Sequence, residues 1–121
     1  MNSILLIEDD PFLIDIYVTQ LKEAGFKVEV ASNGELALTK IKETIPDLLI
    51  LDIILPKIDG LELLKTIRQD PKLEKLKVII LSNLGQKEEV KKGFELGAIK
   101  YFIKAEYTPS EVVEEIKKIL K

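Results

Sequence analysis

Residues 47–52 read Asp47-Leu48-Leu49-Ile50-Leu51-Asp52, an unbroken apolar run between two acids. A strand with one face in water alternates apolar and polar residues, whereas a strand covered on both faces does not. The run from Asp47 to Leu51 therefore predicts a central strand of a parallel sheet. Upstream, Ser3 to Ile7 is a second apolar run. Lys27 to Ala31 alternates, with Val28 and Val30 facing one way and Lys27 and Glu29 the other. That pattern marks a half-buried edge strand. Downstream, Lys77 to Leu81 is again apolar without alternation, and Tyr101 to Ile103 predicts a short fifth strand.

Amphipathic segments lie between these runs. In Pro11 to Ala24, the residues Ile14, Tyr17, Val18 and Leu21 recur at helical spacing, and Gly25 is a stop. Leu36, Ala37 and Ile41 mark a second helix, entered through Asn33-Gly34. Leu61, Leu64 and Ile67 mark a third, and Val90 and Phe94 a fourth that stops at Gly97. Val112, Val113, Ile116 and Leu120 mark the last. Asp10-Pro11 and Asp59-Gly60-Leu61-Glu62 supply caps, and Thr108-Pro109-Ser110-Glu111 fits a capping box with proline at the first helical position. Asp70 to Leu76 reads as a connector.

Five alternating βα units imply a parallel sheet, because parallel strands need crossovers and helices usually provide them. Right-handed crossovers place helices on both faces. Five strands cannot close an eight-stranded barrel, so an open, doubly wound α/β sheet is expected. The chain has 121 residues and 13.7 kDa, with 46% hydrophobic and 32% charged residues, which fits one folded domain over residues 1–121.

Composition excludes several functions. With 18 basic and 21 acidic residues the net charge is −3, which argues against direct nucleic-acid or membrane-surface binding. Arg68 is the only arginine, so bidentate phosphate or guanine recognition is poorly equipped. With no cysteine and no histidine, disulfides, thiol nucleophiles, zinc fingers, Ser-His-Asp triads and an internal phosphohistidine are excluded. Ile4 to Ile7 is too short for a signal sequence and runs at once into Glu8-Asp9-Asp10. No apolar run approaches the ~18 residues of a membrane span. A cytoplasmic location is expected. Lysine and glutamate are abundant, with one methionine and no cysteine. That bias marks thermostable proteins from hot environments and also idealised designs. A Tm inside the ordinary range of about 45–65 °C would count against both.

In open α/β sheets the site lies beyond the carboxyl ends of the strands. Glu8, Asp9 and Asp10 follow the first strand, Asp52 ends the third, Ser82 follows the fourth and Lys104 the fifth. Singly, each has a plain reading: Asp10 before Pro11 is a helix cap, the other acids are loop acids, and Lys104 is a surface lysine. Their joint placement at strand ends changes this. If the first and third strands are neighbours, Glu8, Asp9 and Asp52 converge. Three carboxylates in one cleft repel unless a cation is present. An all-oxygen set suits a hard cation, and Mg²⁺ best, since it is usually held by one or two carboxylates plus a phosphate. Lys104 adds positive charge and Ser82 a hydroxyl donor. Together these make a phosphoryl-transfer site in which Asp52 is the nucleophile and forms an aspartyl phosphate.

The chain resembles the receiver domain of two-component response regulators along its whole length. The resemblance rests on Leu5-Leu6-Ile7-Glu8-Asp9-Asp10 and on Leu51-Asp52-Ile53-Ile54-Leu55-Pro56-Lys57-Ile58-Asp59-Gly60. Val78-Ile79-Ile80-Leu81-Ser82, Gly97-Ala98 and Tyr101-Phe102-Ile103-Lys104 extend it. It implies a flavodoxin-like sheet of order 2-1-3-4-5 with five helices. It implies that Asp52 is the phosphoacceptor and Asp9 a direct Mg²⁺ ligand, with Glu8 acting through water and the Ile54 backbone carbonyl as a further ligand. Lys104 would pair with the phosphoryl group, Ser82 would swing toward it, and Tyr101 would follow inward as the switch ring. The partners implied are a histidine kinase or phosphotransfer protein. Downstream lies a protein target or a phosphorylation-driven homodimer, reached through the face of the fourth helix, fifth strand and fifth helix. The expectation is a stand-alone receiver without an output domain. It is no enzyme beyond its own phosphoryl transfer and dephosphorylation.

Three positions depart from the family pattern. Ala105 replaces the usual proline after Lys104, which bears on how that lysine is aimed. Asn83 replaces a small residue after Ser82. Ile54 and Leu84 are apolar where attacking water would pass, so slow autodephosphorylation is expected. Other classes compete. A non-signalling scaffold or degenerate receiver would keep the fold. A haloacid-dehalogenase-type phosphatase needs an aspartate at position 54, where isoleucine stands. A flavodoxin-like cofactor binder needs a phosphate-cradling loop where Glu8-Asp9-Asp10 would repel phosphate.

Overall fold

The computed structural model describes residues 2–120. The strands are β1 (Ser3–Ile7), β2 (Lys27–Ala31), β3 (Leu48–Leu51), β4 (Lys77–Ser82) and β5 (Lys100–Ile103). The helices are α1 (Pro11–Glu23), α2 (Gly34–Glu43), α3 (Gly60–Arg68), α4 (Lys87–Glu95) and α5 (Pro109–Ile119). All strands pair in parallel, in the order β2-β1-β3-β4-β5. The doubly wound sheet expected from the alternation is thus observed, and β2 lies at an edge.

The apolar run of β3 divides by parity. Leu48 and Ile50 pack with Ile4, Leu6, Ile79 and Leu81 against Tyr17 and Leu21 of α1 and Val112 and Ile116 of α5. Leu49 and Leu51 pack with Leu5, Ile7, Val78 and Ile80 against Ala37 and Ile41 of α2 and Leu63, Leu64 and Ile67 of α3. The sheet therefore separates two cores, and all four β3 residues are fully buried. Burying one such side chain contributes roughly 1.5–3 kcal/mol.

Boundaries differ from the sequence reading by a residue or so, for local reasons. Asp47 lies outside β3, because its carboxylate accepts the Ser3 N–H at 2.7 Å and its own N–H donates to the Ser3 carbonyl at 2.9 Å. β4 runs on through Ser82, because Ser82 still pairs with Ile103. The connector at 70–76 contains a 3-10 turn, Pro71–Leu73, which the Asp70 side chain caps through the Lys72 N–H. A second 3-10 turn, Lys104–Glu106, follows β5 directly.

The caps form as read. Asp10 accepts from Phe12 N–H, Asn33 from Leu36 N–H, and Asp59 from Leu61 N–H at 2.7 Å. Thr108 and Glu111 complete the reciprocal capping box. At α3, Glu62 makes no return bond to Asp59 among the described residues, so that cap is one-sided.

Gly60 sets how closely α3 approaches the end of β3. A Cβ there would lie 2.5 Å from the Asp52 carbonyl oxygen and 2.5 Å from the Ile53 Cα, both backbone atoms. The Gly60 N–H also donates to the Ile53 carbonyl at 2.8 Å. Gly60→Ala is expected to destabilise the fold by about 1–3 kcal/mol through overpacking. A denaturant melt that matches the parent would refute this.

Candidate functional site

Parallel pairing of β1 with β3 brings the strand ends Ile7 and Leu51 opposite one another, and the Asp52 N–H donates to the Ile7 carbonyl at 3.1 Å. Each chain then leaves the sheet with an acid. Carboxylate oxygens of Glu8, Asp9 and Asp52 lie within 4.8 Å of one another. Glu8 and Asp52 are buried, and Asp9 is exposed. The convergence that depended on β1 and β3 being neighbours is therefore real.

Lys104 reaches in from the far side. Its Nζ lies 2.7 Å from Asp52 Oδ2 and 2.8 Å from Glu8 Oε1. The 3-10 turn after β5 presents it, and the Lys104–Ala105 peptide bond is trans. Alanine in place of the usual proline therefore leaves the lysine in contact with Asp52. Glu8 was expected at the metal through water. Here its carboxylate also accepts the N–H groups of Asp9 and Asp10, at 3.1 and 3.2 Å, besides binding Lys104. Burial is the main cause of a raised Glu8 pKa, and the nearby Asp52 charge adds to it, against the lowering pull of Lys104. For Lys104, burial alone would lower the pKa. The bonds to Asp52 and Glu8 outweigh it and raise the value.

The other Asp52 oxygen, Oδ1, accepts the Ile54 N–H at 3.0 Å. The Ile54 side chain is 51% exposed. Ser82 is fully buried at the end of β4, where its Oγ accepts the Leu84 N–H at 3.3 Å. Tyr101 is half-buried in β5, and its hydroxyl donates to the Leu84 carbonyl. Both expected switch residues thus meet on the backbone of Leu84, a residue notable in the sequence only for its apolar side chain. Main-chain acceptors leave no mark on residue identity.

Burial pushes the Tyr101 phenol up to about 12, with Glu89 and Asp52 adding to the shift. Burial also pushes Tyr17 to about 12, with a further push from Glu8. A phenol whose folded pKa is raised contributes stability that is complete below pH 10 and is lost as the pH climbs through about 12. An alkaline absorbance titration should therefore show two phenols ionising near 12. Tyr101→Phe should leave one. An unchanged titration would refute the assignment.

Two carboxylates and a lysine around one buried aspartate fit a hard divalent cation plus a phosphoryl group. The donor set is all oxygen, and two of its members are held by N–H groups or by Lys104. The response regulator receiver domain model matches residues 4–117. The chain is 39% identical over 122 residues to the alkaline phosphatase synthesis transcriptional regulatory protein PhoP of Bacillus subtilis, covering 99% of this chain and 49% of that protein. It spans about half the length of the curated relatives it matches. Among solved structures it superposes on a CheY-like receiver domain protein from Methanospirillum hungatei with a TM-score of 0.91 at 28% identity, covering 99% and 94% of the two chains. The Mn²⁺-bound form of response regulator Rcp1 superposes at 0.85, with 25% identity, covering 98% and 91%. This chain belongs to the response regulator receiver domain family, a family of two-component signalling domains. Receiver domains are phosphoacceptors, bind Mg²⁺ at an acidic pocket and interact with histidine kinases or phosphotransfer proteins. No helix among the described residues is long and apolar enough to cross a membrane.

Proposed function

We propose that Asp52 accepts a phosphoryl group from a phosphohistidine on a histidine kinase or phosphotransfer protein. The observation that carries this is the Lys104 ammonium, 2.7 Å from a buried Asp52 whose carboxylate converges with those of Glu8 and Asp9. An Asp52 oxygen attacks phosphorus, a P–O bond forms, the P–N bond to the donor imidazole breaks, and the imidazole leaves with that electron pair. Lys104 turns from the carboxylates to the new phosphoryl oxygens. Asp9, Asp52 and the Ile54 carbonyl, with Glu8 through water, would hold Mg²⁺, which would supply charge neutralisation. The Mn²⁺ bound to the relative Rcp1 supports a divalent cation here. Phe12, two residues after the acidic segment and 82% exposed, and Ile54 offer apolar contact to the donor protein.

The Ser82 hydroxyl then leaves the Leu84 N–H for the phosphoryl group, and the Tyr101 ring moves inward. This changes the face formed by α4, β5 and α5, which binds a downstream protein or a second phosphorylated copy. The chain acts in the cytoplasm as a receiver, with no direct nucleic-acid contact. The test is incubation with Mg²⁺ and a small acyl phosphate, followed by intact mass. A gain of one phosphoryl group that requires Mg²⁺ is expected. No gain by a folded protein overturns the reading.

Ile54 and Leu84 offer no group that orients or activates water, so the aspartyl phosphate should decay slowly. A phosphoryl half-life of seconds in Mg²⁺ buffer would overturn this.

A further inference from the structure

The two ends of α4 are held in different ways. At its amino end the capping residue Gln86 makes no side-chain bond, whereas the caps of α1, α2, α3 and α5 all do. Gly93 is the only buried residue of the helix. The loop that enters α4 carries Leu84, whose backbone is bonded to both Ser82 and Tyr101. At the carboxyl end, Arg68 reaches across from the end of α3. Its Nε donates to the Leu96 carbonyl at 2.8 Å and its Nη2 to the Gly97 carbonyl at 3.2 Å. Its Nη1 donates to the carbonyls of Leu73 and Glu74, at 2.8 and 3.2 Å.

The final carbonyls of a helix have no partner of their own and carry partial negative charge, so a guanidinium suits them. Among the described residues Arg68 makes no ion pair. Its donors serve four backbone carbonyls on two separate turns, which the single point charge of a lysine cannot match. Gly97 accommodates the arrangement. Its φ is 87°, and a Cβ there would lie only 3.2–3.4 Å from the Arg68 Nη2, Nε and Cζ atoms.

We propose that Arg68 is a positioning residue that fixes the carboxyl end of α4 to α3, so that phosphorylation of Asp52 displaces only the amino-terminal half of α4. The displacement part rests on the phosphoacceptor reading above, whereas the anchoring of the resting protein does not. The helix then acts as a lever with a fixed end, because its free end is the one joined to Ser82 and Tyr101.

Amide hydrogen exchange tests this, with intact mass run alongside to follow phosphorylation. In the wild type, acyl phosphate and Mg²⁺ should change exchange at Val90–Lys92 by about tenfold or more, and at Leu96–Ala98 by less than about twofold. In Arg68→Lys the change should spread to Leu96–Ala98 with the phosphoryl gain intact. Equal changes at both ends of the wild-type helix overturn the proposal, as does an Arg68→Lys protein that still confines them. If the wild type gains no phosphoryl group, the phosphoacceptor reading fails separately. The resting protein then decides the anchor. Slower exchange at Leu96–Ala98 than at Val90–Lys92, lost in Arg68→Lys, supports it, and equal rates overturn it.

Discussion

Asp52→Asn is expected to abolish the Mg²⁺-dependent gain of a phosphoryl group, while the protein stays folded. The loss should be complete, because no other carboxylate among the described residues has the same surroundings. Glu8 is buried and held by three donors, and Asp9 is exposed. The asparagine side-chain oxygen can still accept the Ile54 N–H that Asp52 Oδ1 accepts at 3.0 Å, so the loop after β3 keeps its local bond. What changes is the nucleophile and its charge. Asp52→Ala removes that bond as well and serves as the harsher control. Intact mass of both variants beside the parent checks the prediction. Phosphoryl gain by Asp52→Asn at the parent rate would move the acceptor elsewhere.

Lys104→Met carries the other large effect. The methionine fills similar space but leaves Glu8 and Asp52 without their shared ammonium, and both side chains are 5% exposed or less. Removing one partner of a buried ion pair costs about 3–5 kcal/mol. Part of that cost is avoided if Glu8 takes up a proton, which makes the loss depend on pH. Glu8 already has a raised pKa, so its folded form holds a proton more tightly than the unfolded chain does. Its contribution is complete below the unfolded value of 4.5 and is lost as the pH rises through the higher folded value. Without Lys104 that folded value rises further. The variant should therefore lose stability more steeply than the parent as the pH rises from 4.5 toward neutrality. In the parent, the raised Lys104 value means its contribution persists below 10.5 and is lost only as the pH climbs above that, through the folded value. Mg²⁺ should raise the Tm of Lys104→Met more than that of the parent, because a cation replaces the one removed. Phosphoryl transfer should fall by about 10²–10³-fold, the usual effect of removing one charge-stabilising donor. Identical melting curves across pH, or undiminished transfer, would refute the role.

Most of the fold is legible in the sequence because its signals are local. The unbroken β3 run, the alternating β2 and the capping residues each declare their environment within a few positions, and each element formed where its pattern lay. Legibility stops where a side chain acts at long range on main-chain atoms. Arg68 stands out in the sequence only as the lone arginine. Its carbonyl acceptors at Leu96 and Gly97 are 28 and 29 residues away. The same holds for Leu84, whose peptide joins Ser82 to Tyr101. Within the site, the cluster of Glu8, Asp9 and Asp52 follows from strand order. The hold of Lys104 on Glu8 does not, because it depends on the 3-10 turn after β5.

The four apolar residues of β3 have one further consequence, for folding specificity. A strand with a wet face resists slipping by one residue, because a slip would turn its polar side chains inward. Leu48, Leu49, Ile50 and Leu51 offer no such resistance, since either parity presents aliphatic groups to both cores. The frame must instead be set at the two ends of the run. At one end Asp47 is bonded to Ser3, and at the other Asp52 meets Lys104. A shift by one position would drag one of these acids between β1 and β4 with nothing to pair it. The aspartate proposed as phosphoacceptor thus also tells its strand where to stop.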